Sequence, residues 1–195
     1  MNNNFLEKIL IILLFLILNI LSGCNMLEIE DYAIVAGIGI DVNNNEYEVS
    51  YEIYEEKNGQ TTNMTSNIKT GKGQSISEAI NEISSQLNRK PYLNHSSIVI
   101  LNEEAIEKKF NDIINYLLHD VRIRSACYIT SSKNQSTKEL FKKSKEKNIV
   151  ISFDIYKHLD IKEGMINKWS NCKFNEVLNE KINPNGTIII PTILM

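Results

Sequence analysis

The feature that most constrains this chain is an apolar run near its amino terminus that leads into a cysteine. Residues 9–21 are apolar apart from Asn19, and Ser22, Gly23 and Cys24 follow at once. These 13 residues have the length of a signal-peptide core and are short for the roughly 20 residues that a helix needs to span a bilayer. The run therefore predicts an export signal, and a soluble protein that stays in the cytoplasm is strongly disfavoured.

The four residues that end this run resemble the lipobox of bacterial lipoproteins. Leu21 would fill an aliphatic pocket of the signal peptidase, and Ser22 and Gly23 are small enough for a narrow cleavage site. The thiol of Cys24 can form a thioether with a diacylglyceryl group. The sequence thus predicts a lipoprotein signal peptide over residues 1–23, with Cys24 as the lipidation site and first mature residue. An uncleaved membrane anchor is the alternative.

After the predicted signal peptide 172 residues remain, which suffice for one domain of medium size. Their composition argues against several classes of function. The net charge of −3 argues against a nucleic-acid partner, which would require a basic excess. Cys127 and Cys172 lie far apart and show no disulfide framework, so whether they pair is left open. Three histidines share no metal-ligand spacing, so neither a metal nor another cofactor is expected: His95, His119 and His158.

The first part of the mature chain predicts strands. Residues 31–41 form a continuous β-branched run typical of a strand that is covered on both faces. Residues 46–56 alternate in polarity, which predicts a half-exposed antiparallel partner and hence a hairpin. A third strand is expected near residues 64–70. In the second strand the apolar face carries Tyr47, Val49, Tyr51 and Ile53, and the polar face carries Glu46, Glu48, Ser50 and Glu52.

The rest of the chain alternates helices with strands around a turn at Pro91. Helices are predicted over residues 75–87, 103–119, 136–145, a segment capped by Ser152, and 174–181. Strands are predicted over residues 96–101, 125–131 and 187–194. The fold class is therefore α+β, a mixed β-sheet with packed helices. Residues 24–183 form the predicted main domain, and residues 184–195 either join its sheet or open a second domain.

No catalytic motif appears in the sequence, so the chain is predicted not to be an enzyme. Residues 71–73 could cradle a phosphate in front of a helix, but a flexible loop is favoured. Asp120, Arg122 and Arg124 could bind an anion, but a structural turn is favoured. A cluster of lysines could face anionic lipids, although a solvated helix face is favoured: Lys138, Lys142, Lys143, Lys145 and Lys147.

Five segments follow one another in a defined order: Gly23–Cys24 with the strand ending at residues 37–41, the tyrosine-rich strand after it, residues 71–79, residues 94–105 and residues 117–124. Together they resemble the Ger(x)C family, the C subunits of nutrient germinant receptors in spore-forming bacteria. The residues after the cysteine depart from the family pattern, because residues 25–27 lack its tryptophan and basic residues.

The resemblance implies the N-terminal domain of a longer, three-domain protein. It implies lipidation at Cys24, a lipid bilayer contact through the diacylglyceryl anchor, and a place on the outer face of the spore inner membrane. The partners implied are the integral-membrane A and B subunits of the receptor, with this chain as a non-catalytic scaffold or coupling subunit. The alternatives are a truncated remnant and an envelope lipoprotein that binds a small solute at a pocket formed by Lys90, His95, Asp120 and Arg122.

Overall fold

The computed structural model of the protein describes residues 7–15, 29–56, 64–165, 172–183 and 187–193. The chain divides after Asp31 into two units. In the first unit, residues 7–15 form a helix (α1) whose side chains are exposed, and Ile29–Asp31 form a single 3₁₀ turn. Within the described residues, no helix is both long enough and apolar enough to cross a membrane.

The second unit opens with a three-stranded antiparallel arrangement. Strand β1 (Tyr32–Asn43) pairs with β2 (Glu46–Glu56), and β2 pairs with β3 (Met64–Gly73). Asn44 and Asn45 connect β1 to β2 with φ angles of 52° and 66°. Asparagine tolerates this left-handed conformation better than most residues, and such a two-residue turn matches the twist of the paired strands. The predicted hairpin and third strand are confirmed.

The other half of the sheet is parallel. Strands β5 (Ile98–Asn102), β6 (Tyr128–Ser132) and β7 (Thr192–Ile193) extend the sheet from β1. Across the described residues the strand order is β3-β2-β1-β5-β6-β7, and β4 (Lys90–Tyr92) pairs with the start of β1. The predicted α+β class with a mixed sheet is confirmed. The turn predicted around Pro91 is wrong in part, because these residues hydrogen-bond to β1 as a short parallel strand.

Helices cover both faces of this sheet. One face carries α2 (Ile76–Ser85), α3 (Glu103–His119) and α6 (Phe174–Ile182), whose apolar residues form the larger core with the inner side chains of β1 and β2. The opposite face carries α4 (Thr137–Glu146) and α5 (Ile151–Met165), which form a smaller core with β5 and β6. Both faces of β1 are therefore buried, as its uninterrupted apolar pattern predicts.

Side-chain caps fix the starts of three helices where the sequence predicts them. Ser75 Oγ accepts from Glu78 N at 3.2 Å before α2, and Ser136 Oγ accepts from Glu139 N at 3.2 Å before α4. Asn102 Oδ1 accepts from Ala105 N at 2.8 Å before α3. Each cap satisfies a backbone donor that the helix itself leaves unpaired.

The final segment lies against the same sheet. Ser131 N donates to Pro191 O at 2.9 Å, so β7 continues the parallel pairing beside β6. Ile188 and Ile190 are partly buried against the larger core. Residues 192–193 thus add to the existing sheet, while the domain boundaries at residues 183 and 184 stay predictions.

Candidate functional site

The predicted lipidation motif, Leu21, Ser22, Gly23 and Cys24, lies outside the described residues. Its cleavage and its lipid attachment therefore stay predictions. The described domain that follows contains a pair of buried carboxylates between the sheet and the helices α4 and α5.

Asp41 on β1 holds the beginning of α4. Its carboxylate accepts from Thr137 N at 2.9 and 3.0 Å, from Thr137 Oγ1 at 2.9 Å and from Lys138 N at 3.4 Å. Asp41 is fully buried. The first backbone donors of a helix have no partner within the helix, and the helix dipole places positive charge at this end. A strand residue thus acts as a cap for a helix that is far away in sequence.

Glu52 on β2 does the same for α5. Its two carboxylate oxygens accept from Ile151 N at 3.0 Å, from Ser152 N at 2.9 Å, from Ser152 Oγ at 2.5 Å and from Ser144 Oγ at 2.6 Å. Glu52 is also fully buried. The prediction that Ser152 caps this helix is wrong, because α5 begins at Ile151 and the Ser152 hydroxyl donates to Glu52 instead of accepting from the helix.

Two glycines of β1 make this close approach possible. A Cβ at Gly37 would lie 2.0 Å from Ser152 Oγ, and a Cβ at Gly39 would lie 2.2 Å from Thr137 Oγ1. Both distances are far below van der Waals contact, so only glycine lets the two helix starts lie this close to the strand. Residues 37–41 belong to the first of the five segments that carry the resemblance. They allow the starts of α4 and α5 to lie close to the sheet.

Burial sets the ionisation of both carboxylates. Loss of hydration raises the pKa of Asp41 and the pKa of Glu52 above their usual ranges, and the hydrogen bonds from the two helix starts only partly oppose this shift. All four oxygens already accept hydrogen bonds from residues of α4 and α5. The geometry therefore suits attachment of the helices rather than proton transfer to a substrate.

We expect this pair to make stability depend on pH with a defined sign. A carboxyl group whose pKa is raised on folding contributes stability below its unfolded pKa of about 4, and that contribution is lost as the pH rises through the folded pKa. The free energy of unfolding of the wild type, minus that of the Asp41→Asn/Glu52→Gln variant, should therefore fall as the pH rises from acid to neutral. Urea denaturation at a series of pH values measures this difference, in which other titrating groups cancel. A difference that is constant or grows with pH would contradict it.

The polar face of β2 is the largest error of the sequence prediction in this region. That face was expected to meet solvent, yet Ser50 and Glu52 are 0% exposed and Glu48 is 9% exposed. Helices α4 and α5 cover it, and Lys138 Nζ donates to Glu48 Oε1 at 2.6 Å. Alternation alone cannot distinguish a wet face from a covered one, because a covering helix can provide hydrogen-bond donors where water would.

The acidic and arginine-containing turn after α3 forms an ion pair. Arg122 Nε and Nη2 donate to the two oxygens of Asp120 at 2.8 and 2.7 Å, and Arg122 N donates to Asp120 Oδ1 at 3.1 Å. The pKa of Asp120 is lowered by its contacts with Arg122, although burial raises it in part. These contacts support the prediction that this segment is a structural turn. The Tyr51 hydroxyl, buried beneath this region, has no hydrogen-bond partner among the described residues.

The residues suggested for a solute pocket make separate contacts. The His95 ring lies 5.3 Å from the Tyr92 ring, centroid to centroid, and Lys90 lies on β4. Asp120 is engaged by Arg122. Within the described chain, no hydrogen bond or ion pair joins Lys90 or His95 to Asp120 or Arg122. A cleft of about 570 Å³ instead lies where β1, β5 and β6 end, with Asn43, Asn102, Glu103, Glu104 and Glu139 among its lining residues.

The remaining candidates have structural positions. Lys138 pairs with Glu48, Lys143 Nζ donates to Gln135 Oε1 at 3.0 Å, and the other three lysines of the cluster are exposed at or near α4. Cys127 and Cys172 are both buried, and burial raises the pKa of Cys127 to about 12. In the part of the chain that the structure describes, no group of three or more histidine, cysteine, aspartate or glutamate side chains could hold a metal ion.

Residues 25–195 match the family model of the spore germination protein N-terminal domain. The chain belongs to this family. The resemblance drawn from the five segments is thereby confirmed. The match begins directly after Cys24 and extends over both the sheet and all of its covering helices.

One curated relative is spore germination protein KC of Bacillus subtilis (strain 168). The two sequences are 23% identical over 198 residues, which cover 96% of this chain and 49% of the relative. The chain thus spans about half the length of the relative that it matches. No solved structure gives a significant match.

Proposed function

We propose that this protein is a lipid-anchored, non-catalytic subunit of a spore nutrient germinant receptor. The observation that carries the proposal is the family match over residues 25–195, which starts at the residue after Cys24. A germination domain directly after a lipobox cysteine is the order expected for a lipoprotein subunit. By the same family argument, its partners are the integral-membrane A and B subunits, and its place is the outer face of the spore inner membrane.

The described domain supports a scaffolding or coupling role. Asp41 and Glu52, its fully buried carboxylates, are engaged by the starts of α4 and α5. These two acidic groups therefore organise the helix layer, and each of their four oxygens is hydrogen-bonded to it. A diacylglyceryl group has two acyl chains, which give stable membrane attachment where a single chain gives only reversible binding.

We expect Cys24→Ala to release the protein from the membrane and to abolish its function without unfolding the domain. The alanine removes the thiol on which the lipid would be built, whereas the described core begins at Tyr32. The measurement is nutrient-triggered germination of spores that lack the gene, complemented with the wild type or with Cys24→Ala. Fractionation of the spore membranes reports the location of each form.

A matched control separates loss of the anchor from loss of the fold. Cys24→Ala carried on an unrelated single-span membrane anchor should regain germination, because the domain is again held at the membrane. Retention of untethered Cys24→Ala in washed membranes would argue for an uncleaved anchor. A normal nutrient response in spores without the gene would contradict the proposed role and favour a remnant.

A further inference from the structure

We propose that one edge of the sheet rests on the lipid bilayer, with the turn at Leu118–Arg122 as its contact. This inference rests on the lipid anchor proposed at Cys24. The surface is the amino edge of the sheet, defined as the edge at which the parallel strands β1, β5 and β6 begin. The proposed occupant is the headgroup layer of the phospholipid membrane that holds the anchor.

Strand pairing places the turn at this edge. Ile98 at the start of β5 lies opposite Gly37 of β1 and opposite Tyr128 at the start of β6. Because the three strands are parallel, the segment that enters β6 lies on the side from which β1 starts, and β1 extends from Gly37 to Tyr32 further in that direction. Strands in a sheet are about 4.8 Å apart, so β6 is only about 10 Å from β1 across the sheet.

Chain length keeps this edge close to the membrane. Eight residue steps separate Cys24 from Tyr32, the first residue of β1. A fully extended chain advances at most about 3.6 Å per residue, so a lipid on Cys24 holds the start of β1 within about 29 Å of the bilayer. The 12 residues of β1 then carry the opposite edge roughly a further 36 Å along the strand.

The turn displays apolar side chains that the fold does not use. Val121 is 93% exposed and Leu118 is 50% exposed. The bidentate pair between Asp120 and Arg122 fixes the turn, as does the bond from Ile123 N to Asp120 O at 3.0 Å. An apolar side chain held out by a rigid turn can enter a headgroup layer without a further loss of backbone freedom.

Aromatic and basic residues lie at the same edge. The Tyr32 and Tyr92 rings are 5.4 Å apart, and both belong to strands that begin there. Tyrosine is enriched at membrane–water interfaces, because its ring is apolar and its hydroxyl is polar. Arg124 and Lys90 are exposed at this edge, where they can contact lipid phosphates.

The opposite edge of the sheet is acidic. The cleft where β1, β5 and β6 end is lined by four glutamates, and the lysine Lys108 is also present there. The acidic residues of the connection to Tyr32 oppose attraction of the amino edge to anionic lipid. Contact of Val121 and Leu118 with the headgroup layer is therefore the main attraction that we propose. The four glutamates of the cleft are Glu103, Glu104, Glu107 and Glu139.

A depth measurement on the full-length, lipid-anchored protein tests this orientation. A polarity-sensitive fluorophore is attached to Val121→Cys in vesicles of phosphatidylglycerol and phosphatidylcholine, and quenching by headgroup-spin-labelled phospholipid is recorded. Asn43→Cys is the matched control, because Asn43 is exposed at the far end of β1. Cys127 and Cys172 are buried, and the wild type labelled in parallel gives the background. We expect a blue shift and quenching at position 121 and neither at position 43.

The outcomes distinguish this inference from the proposed function. A protein that stays on the vesicles, with position 121 quenched no more than position 43, overturns the docking surface and leaves the anchor intact. A wild-type protein without a diacylglyceryl group on Cys24, judged by mass spectrometry, overturns both. Leu118→Cys gives a second label on the same surface. If the label at Leu118 is also quenched, the result does not depend on the substitution at Val121.

Discussion

Glu52→Ala is expected to lower the free energy of unfolding by about 3–5 kcal/mol. The substitution leaves the backbone donor of Ser152 without its acceptor at a buried helix start, and Ile151 N keeps only its longer bond to Ser144 Oγ at 3.1 Å. It also removes the acceptor of the Ser152 and Ser144 hydroxyls, although Ser144 Oγ retains Ile149 O as a partner. Each buried donor left unpaired costs about 1–3 kcal/mol, and partial relaxation makes the total less than the sum.

Glu55→Ala on the same strand is the matched control. Glu55 is 40% exposed and lies 3.6 Å from Arg89 in a surface ion pair. Such pairs contribute about 0–1 kcal/mol, so the control should change stability by no more than that. Urea denaturation followed by far-ultraviolet circular dichroism measures both variants. Equal, small effects at Glu52 and Glu55 would show that Glu52 does not hold α5.

Gly37→Ala and Gly39→Ala should each destabilise the protein by about 2–3 kcal/mol through overpacking. Strand propensity alone predicts the opposite sign, because alanine is favoured over glycine by about 0.5–1 kcal/mol in an element interior. The added methyl group would meet Ser152 Oγ or Thr137 Oγ1 at about 2 Å, and relief requires the helix start to move away from its carboxylate. The steric cost therefore outweighs the gain in propensity.

A double-mutant cycle identifies the contact. Ser152→Gly removes both side-chain atoms that a Cβ at Gly37 would meet most closely, although it also deletes a hydrogen bond to Glu52. Gly37→Ala should therefore cost less in the Ser152→Gly background than in the wild type, with a coupling energy of about 1 kcal/mol or more. Strictly additive effects would place the strain elsewhere than at the start of α5.

Together these contacts explain why glycine and an acidic residue stand at residues 37–41. Strand β1 can carry no side chain at Gly37 and Gly39, because the starts of two helices lie against it there. Asp41 then accepts hydrogen bonds from the start of α4. Glu52, on the paired strand, completes the arrangement for α5. Residues 37–41 have the pattern of an apolar strand, and they also attach α4 and α5 to the sheet.

Local signals predicted much of the fold. Residues 103–119 and 174–181 were predicted as helices, and the structure has α3 over Glu103–His119 and α6 over Phe174–Ile182. Ser75 and Ser136 were predicted to cap their helices, and both do. These features depend on residues within a turn or two of each other, so the sequence contains the whole interaction.

Short strands that depend on pairing with a distant part of the chain are harder to predict from the sequence. Strand β4 contains a proline and has only 3 residues, and it exists because β1 provides a parallel partner about sixty residues away. Among the described residues, the predicted strand over residues 187–194 is reduced to Thr192–Ile193, which pairs with Ser131 and Ser132 at the end of β6. Such lengths are set by the neighbouring strand and not by local propensity.

The sequence by itself determined most of the elements, the mixed sheet and the family, and it predicted a lipidated Cys24. Only the tertiary structure decided what the acidic face of β2 meets, because both water and the start of a helix can donate hydrogen bonds to a carboxylate. Glu52 is separated from Ser152 by 100 residues, and the Asp41–Thr137 bonds span 96. No local pattern records such a pairing, since the donors are backbone groups that every residue except proline carries.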